Sequence, residues 1–159
     1  MSERGSTVRR ATLDDVAELV AMRWEMSVEQ RGASEDREIF ERRCGGLVHD
    51  ALIGKDWTVW VAEAGGRLAA NVWTYSVPRV PRPWPRNEPW GYVTNVFARE
   101  AYRDSGVGSR LLDTVIQWAK QAKLHLLLAW PSERSVSFYT RAGFVRSPDA
   151  LELTLIPEE

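Results

Sequence analysis

Residues 92–112 read Tyr92-Val-Thr-Asn-Val-Phe-Ala-Arg-Glu-Ala-Tyr-Arg103-Asp-Ser-Gly106-Val-Gly108-Ser-Arg-Leu-Leu112. The β-branched and aromatic residues at its start predict a strand over Tyr92 to Ala98. Past the glycines, Leu111, Leu112, Val115, Ile116 and Ala119 share one face of a helix running from Ser109 to Ala122. Gly106 and Gly108 therefore lie where a loop feeds a helix. Backbone N–H groups there can point outward with no side chain in the way, at the positive end of the helix dipole. Arg103 and Arg110 can add full charges. Such a turn can hold a pyrophosphate, although two glycines can also make nothing more than a tight strand-to-helix turn.

Upstream, Val8 to Ala11 reads as a short strand, and Thr12 with Asp15 forms a capping-box-like start to a helix carrying Val16, Leu19, Val20, Trp24 and Val28 at helical spacing. A second helix runs from Ser34 to Gly54, its middle weakened by Gly45-Gly46. Trp57 to Glu63 and Leu68 to Val77 flank the turn Ala64-Gly65-Gly66-Arg67, which makes a hairpin. Pro78 to Pro89 holds five prolines and three arginines and must be an extended loop. Downstream, Leu124 to Trp130 reads as a strand buried on both faces and Ser132 to Ala142 as a short helix closed by Gly143. Leu151 to Ile156 reads as a last strand. The order predicts an α/β fold, a central sheet covered by helices.

The chain of 159 residues is 44% hydrophobic, which suits one domain over 1–159 with 1–7 as a flexible N-terminus. A net charge of −1 provides no field that would draw it to nucleic acid or an anionic membrane. One cysteine, Cys44, and two histidines, His49 and His125, exclude an internal disulfide and leave too few ligands for a structural zinc site, so no metal is expected. The first ten residues lack the apolar stretch of a secretory signal, and no run reaches the ~18 apolar residues of a membrane span. A cytoplasmic location is the expectation.

The glycine turn and a second stretch together resemble one family. Arg103-x-x-Gly106-x-Gly108, following the strand Asn95-Val96-Phe97-Ala98, is similar to the Arg/Gln-x-x-Gly-x-Gly/Ala motif of GNAT N-acetyltransferases. Phe138-Tyr139-Thr-Arg-Ala-Gly143-Phe144 resembles their second signature, Phe-Tyr-x-x-x-Gly-Phe. The resemblance spans roughly residues 8 to 156. A doubly wound dinucleotide-binding domain would show a third glycine where Leu111 stands, in an early βαβ unit. The GNAT resemblance implies a mixed, mostly antiparallel sheet flanked by helices, and acetyl-CoA as co-substrate. Val96, Phe97 and Ala98 would bind the pantetheine arm through main chain, as though it were another strand. The turn Arg103, Asp104, Ser105, Gly106, Val107, Gly108 and Ser109 would cradle the pyrophosphate. A backbone N–H near Phe97 would face the thioester carbonyl, and Tyr139 would donate a proton to the leaving thiolate. Family members commonly carry asparagine seven residues before this tyrosine; Ser132 stands there, with a shorter reach toward the cofactor.

The resemblance further implies a primary amine acceptor, on a small molecule or peptide, and is compatible with a homodimer. Trp24, Trp84, Glu88, Tyr92 and Asn95 are the acceptor-side candidates. Glu88 and Glu63 are the nearest carboxylates for a general base, with a water relay as the alternative. Residue by residue, the loop 78–89 reads as a stiff solvated connector before it reads as a border of the acceptor site, and a polyproline segment for a partner ranks lowest. An inactive acyl-CoA-binding sensor is the other reading of the whole chain.

Overall fold

The computed structural model describes residues 5–157. Five strands, β1 (Thr7–Arg10), β2 (Trp57–Ala64), β3 (Arg67–Val77), β4 (Trp90–Ala98) and β5 (Leu127–Ala129), form one sheet in the order β1-β2-β3-β4-β5. The first three pairings are antiparallel and β4 with β5 is parallel, as chain order dictates. β2 and β3 are joined by a tight turn at Gly65 and Gly66, both at positive φ, whereas β4 and β5 are joined through the helix α3 (Val107–Gln121). Of the expected flexible N-terminus, 1–4 lie outside the described residues, and Thr7 already belongs to β1.

Each face of the sheet has its own core. α3 buries Leu111, Leu112 and Val115 completely against Ala62, Ala70, Val72 and Val93 on one face. A fully buried leucine or valine contributes about 1.5–3 kcal/mol relative to exposure. On the other face α1 (Val16–Arg31) and α2 (Arg37–Ile53) cover Val59, Val61, Leu68 and Trp73 with Leu19, Met22 and Val48. α2 passes through Gly45 and Gly46 without a break. Packing of Val48 and Ala51 outweighs the roughly 1 kcal/mol that each helical glycine costs.

The start of α1 is fixed by charge. Asp15, 7% exposed, accepts from the Thr12 N–H at 2.7 Å and receives both η nitrogens of Arg9 at 2.8 and 2.9 Å, while Arg9 also reaches Glu63. The Arg9 guanidinium holds the Asp15 carboxyl below its usual range, so this contribution is present above the ordinary carboxylate pKa and is lost as pH falls through the lowered one. Asp15→Asn leaves Arg9 half-answered. The expected cost is about 2 kcal/mol, between the near-zero of an exposed pair and the 3–5 of a buried one. A thermal melt should show it as a fall in Tm of about 4–8 °C.

Two expectations change. The strand foreseen over Leu124 to Trp130 narrows to Leu127–Ala129, because only Gly91, Tyr92 and Val93 offer it partners. The last strand foreseen over Leu151 to Ile156 is not formed. Those residues pair with no strand, and Leu151, Leu153, Leu155 and Ile156 are all exposed. The final helix, α4 (Val136–Arg141), is preceded by a 3-10 turn over Glu133–Ser135.

Candidate active site

The sheet splits at β4. Its pairing with β5 ends at Val93, so Thr94 to Ala98 run on with no strand on that side. Across β3, Asn71 faces Phe97 and Trp73 faces Thr94, which leaves Asn95 and Val96 opposite Val72 in a β-bulge. Asn95 takes the left-handed conformation, φ 51°. Two side chains hold it there: the Asn71 amide donates to the Asn95 carbonyl at 2.7 Å, and Arg23 of α1 donates to Asn95 Oδ1 at 3.2 Å. Asn71, 1% exposed, went unnoticed in the sequence because it sits within an apolar strand and its partner is a main-chain atom 24 positions away.

The gap between β4 and β5 is one cavity of about 910 Å³, within the usual range for a small-molecule or cofactor site. Asn95, Val96, Phe97 and Ala98 line one wall and Trp130, Pro131 and Ser132 the other. At one end lies the glycine turn. Gly106 caps α3 with φ 79°, a left-handed backbone that glycine adopts freely, and no side chain hydrogen-bonds at that cap. The first bond into the helix comes from Arg110 N–H to the Gly106 carbonyl. The N–H groups of Val107, Gly108 and Ser109 precede it and have no carbonyl one turn back, so they are available to an anion. Gly108 serves packing as well: a Cβ there would lie 3.2 Å from the Phe138 ring.

Charge around the turn is arranged differently from the expectation. Arg103 lines the cavity, but its η nitrogens donate to both carboxylate oxygens of Glu29 on α1 at 2.6 Å and its Nε to the Ala98 carbonyl at 3.0 Å. It thereby ties the turn to α1 and holds the Glu29 carboxyl below its usual range. Arg110 reaches Ser6 and does not line the cavity. Arg134 and Arg141, which sequence reasoning passed over, do line it. Ser105 turns away, donating to the Tyr102 carbonyl. Asp104 and Ser132 line the cavity, the Ser132 hydroxyl lying 3.1 Å from that of Ser135.

Tyr139 lines the same cavity. It is 8% exposed, packed edge-on between Phe138 and Phe144 with ring centroids 5.2 and 5.3 Å away. Burial, reinforced by the nearby Tyr92, pushes its pKa up to about 12, so its hydroxyl keeps its proton at neutral pH.

Of the acceptor-side candidates, Asn95 lines the cavity and Tyr92 packs edge-to-face on Trp130, which lines it too. Trp24 instead packs on Phe40 at the α1–α2 contact beneath Arg37. Trp84 lies in the proline loop under Arg82, and Glu88 pairs with Arg86. Glu63 is taken by Arg9. Asp104 is the one carboxylate lining the cavity among the described residues, and it sits in the glycine turn.

A split mixed sheet whose gap is lined by a phosphate-type turn and a buried tyrosine is an acyltransferase architecture, and comparison bears on it directly. The model of the acetyltransferase (GNAT) family matches residues 16–144, and the chain belongs to that family. Solved structures share the fold. A predicted acetyltransferase with acetyl-CoA from Clostridium acetobutylicum is 22% identical, with TM-score 0.78 and coverage of 95% of this chain and 97% of that one. A GCN5-related N-acetyltransferase from Ralstonia eutropha JMP134 is 19% identical, TM-score 0.73, with 94% and 99% covered. Glucosamine-6-phosphate N-acetyltransferase from Arabidopsis thaliana is 15% identical, TM-score 0.71, with 96% and 99% covered. No curated protein sequence matches the chain. No helix among the described residues is long and apolar enough to cross a membrane.

Proposed function

We propose that this chain is an N-acetyltransferase that passes the acetyl group of acetyl-CoA to a primary amine by direct attack within a ternary complex. The observation that carries this reading is the single cavity that joins the free N–H groups at the start of α3 to the buried hydroxyl of Tyr139. Those N–H groups suit a pyrophosphate, with Arg134 and Arg141 as further cations. The unpaired edge of β4 from Thr94 to Ala98 offers main-chain donors and acceptors to an amide-bearing arm.

Near Phe97 a main-chain N–H would donate to the thioester carbonyl as the amine attacks, stabilising the oxyanion. Tyr139 donates its proton to the departing thiolate. An alkylammonium with a reference pKa near 10.4 must lose its proton before attack. Among the described residues the one carboxylate lining the cavity is Asp104, in the turn proposed to hold the pyrophosphate, so in this reading the amine is taken up already neutral from solution.

The test is calorimetric titration of the protein with acetyl-CoA, followed by a thiol assay for CoA release across a set of amines. Saturable binding with amine-dependent CoA release is the expected result. Binding without release to any amine would leave the inactive acyl-CoA sensor as the correct reading. Absence of binding would overturn both.

A further inference from the structure

The strand register places a row of aromatic rings on the face of the sheet that carries α1 and α2. Trp57 pairs with Tyr75, Tyr75 with Tyr92, and Tyr92 with Leu128, so all four share that face. On the same side Trp90 stands two residues before Tyr92 and Trp130 two residues after Leu128, so on these parallel strands the two tryptophans flank the Tyr92–Leu128 pair at opposite ends. The rings touch. Trp57 meets Tyr75 with centroids 4.9 Å apart, and Tyr92 meets Trp130 at 5.3 Å, both edge-to-face.

The helices cover this face as far as Trp57, Trp73 and Phe97, which pack in the α1–α2 core. Beyond them Tyr75 and Tyr92 are half-buried, Trp90, with Arg79 stacked on its ring, is 37% exposed and Trp130 is 63% exposed. Aromatic rings left open to water on one face mark a surface for a ligand or partner. This one is continuous with the cavity, since Trp130 lines the cavity and touches Tyr92.

We infer that this aromatic shelf binds the body of the acceptor, and that the acceptor is an amine carried on a flat apolar or aromatic group, an arylalkylamine in chemical class. The inference rests on the reading of the cavity as an acetyl-CoA site, and the shelf supplies what that reading lacks. Edge and face contacts with Trp130 and Tyr92 hold the ring of the acceptor, and its amine extends past Trp130 into the split between β4 and β5. Around Tyr92 and Trp130 the one carboxylate lining the cavity among the described residues is Asp104 of the glycine turn, and Asp50 and Asp56 stand at the far edge of the row beside Trp57, so a polyamine with several positive charges finds few counter-charges where its reacting amine would lie. A hydroxyl-rich amino sugar finds few hydrogen-bonding partners.

The experiment uses tryptamine, glucosamine and spermidine as probes, each in two assays: direct binding by calorimetry in the presence of CoA, and CoA release from acetyl-CoA. Tryptamine should bind saturably and should be the best acceptor of the three. Trp130→Ala should weaken tryptamine about tenfold, read as Kd and as KM, whereas Trp90→Ala, at the opposite end of the row, should leave it within about twofold. Trp130→Phe should restore most of the loss. The Kd of Trp90→Ala for acetyl-CoA should stay unchanged, because Trp90 does not line the cavity. Tryptamine that binds but is never acetylated would keep the shelf and remove the transferase reading. Failure of tryptamine to bind, equal binding by both tryptophan variants, or stronger use of glucosamine or spermidine overturns the shelf even if CoA is released.

Discussion

Tyr139→Phe is expected to lower kcat about 100-fold while the affinity for acetyl-CoA stays within about twofold. The ring of Tyr139 is held by Phe138 and Phe144 and is 8% exposed, so phenylalanine fills the same space and leaves the packing of α4 intact. What disappears is one O–H on a residue that lines the cavity. Loss of a positioned general acid typically costs 10²–10⁴ in rate, and a thiolate is a good enough leaving group to place this case at the low end. The pH profile separates this role from a structural one. Because the hydroxyl's pKa stands at about 12, wild-type kcat/KM should rise with pH as the amine is deprotonated and should show no fall below about pH 11. The variant should retain the rising limb at lower amplitude. A melting temperature unchanged from wild type, together with an unaltered kcat, would remove Tyr139 from the chemistry and leave it as a core aromatic.

How much of this was legible beforehand varies by element, and the reasons are physical. α3 was readable because Leu111, Leu112 and Val115 are all completely buried, and a helix with a strong one-sided burial pattern announces itself through period alone. The glycine turn was readable for the same local reason: left-handed backbone at Gly106 and close approach at Gly108 are both demands that favour glycine. Residues 151–156 show the limit of such reasoning. Alternating Leu151, Leu153 and Leu155 record a preference for a half-buried strand, but a strand exists only with a neighbour, and these residues have none. Trp24 fits a helical apolar face, yet period cannot tell which neighbour that face meets, and it meets Phe40. The bond from Arg103 to Glu29 spans 74 positions. The aromatic shelf depends on strand register, which becomes known only when the sheet is assembled.

The second large effect belongs to the turn. Gly106→Glu should weaken acetyl-CoA binding by at least about 100-fold, whereas Gly106→Ala should weaken it by less than about tenfold. Both substitutions force a side chain onto a residue at φ 79°, at a strain of about 1–2 kcal/mol each. Both find open space, because no atom lies within 4 Å of a Cβ built there, so neither displaces Phe138 or the α3 core. The strain is common to the pair, and the difference between them isolates charge. A carboxylate extending from the cap of α3 can itself take the N–H groups of Val107, Gly108 and Ser109 and would face the pyrophosphate with like charge in the same field that otherwise attracts it. High salt offers a check on the cause: repulsion between partly exposed charges shrinks as the Debye length falls from about 10 Å at 0.1 M to about 3 Å at 1 M. The gap between the glutamate and alanine variants should therefore narrow with salt. A gap that does not exist at low salt would show that the pyrophosphate binds elsewhere, and with it the assignment of the turn would fail while the fold stood.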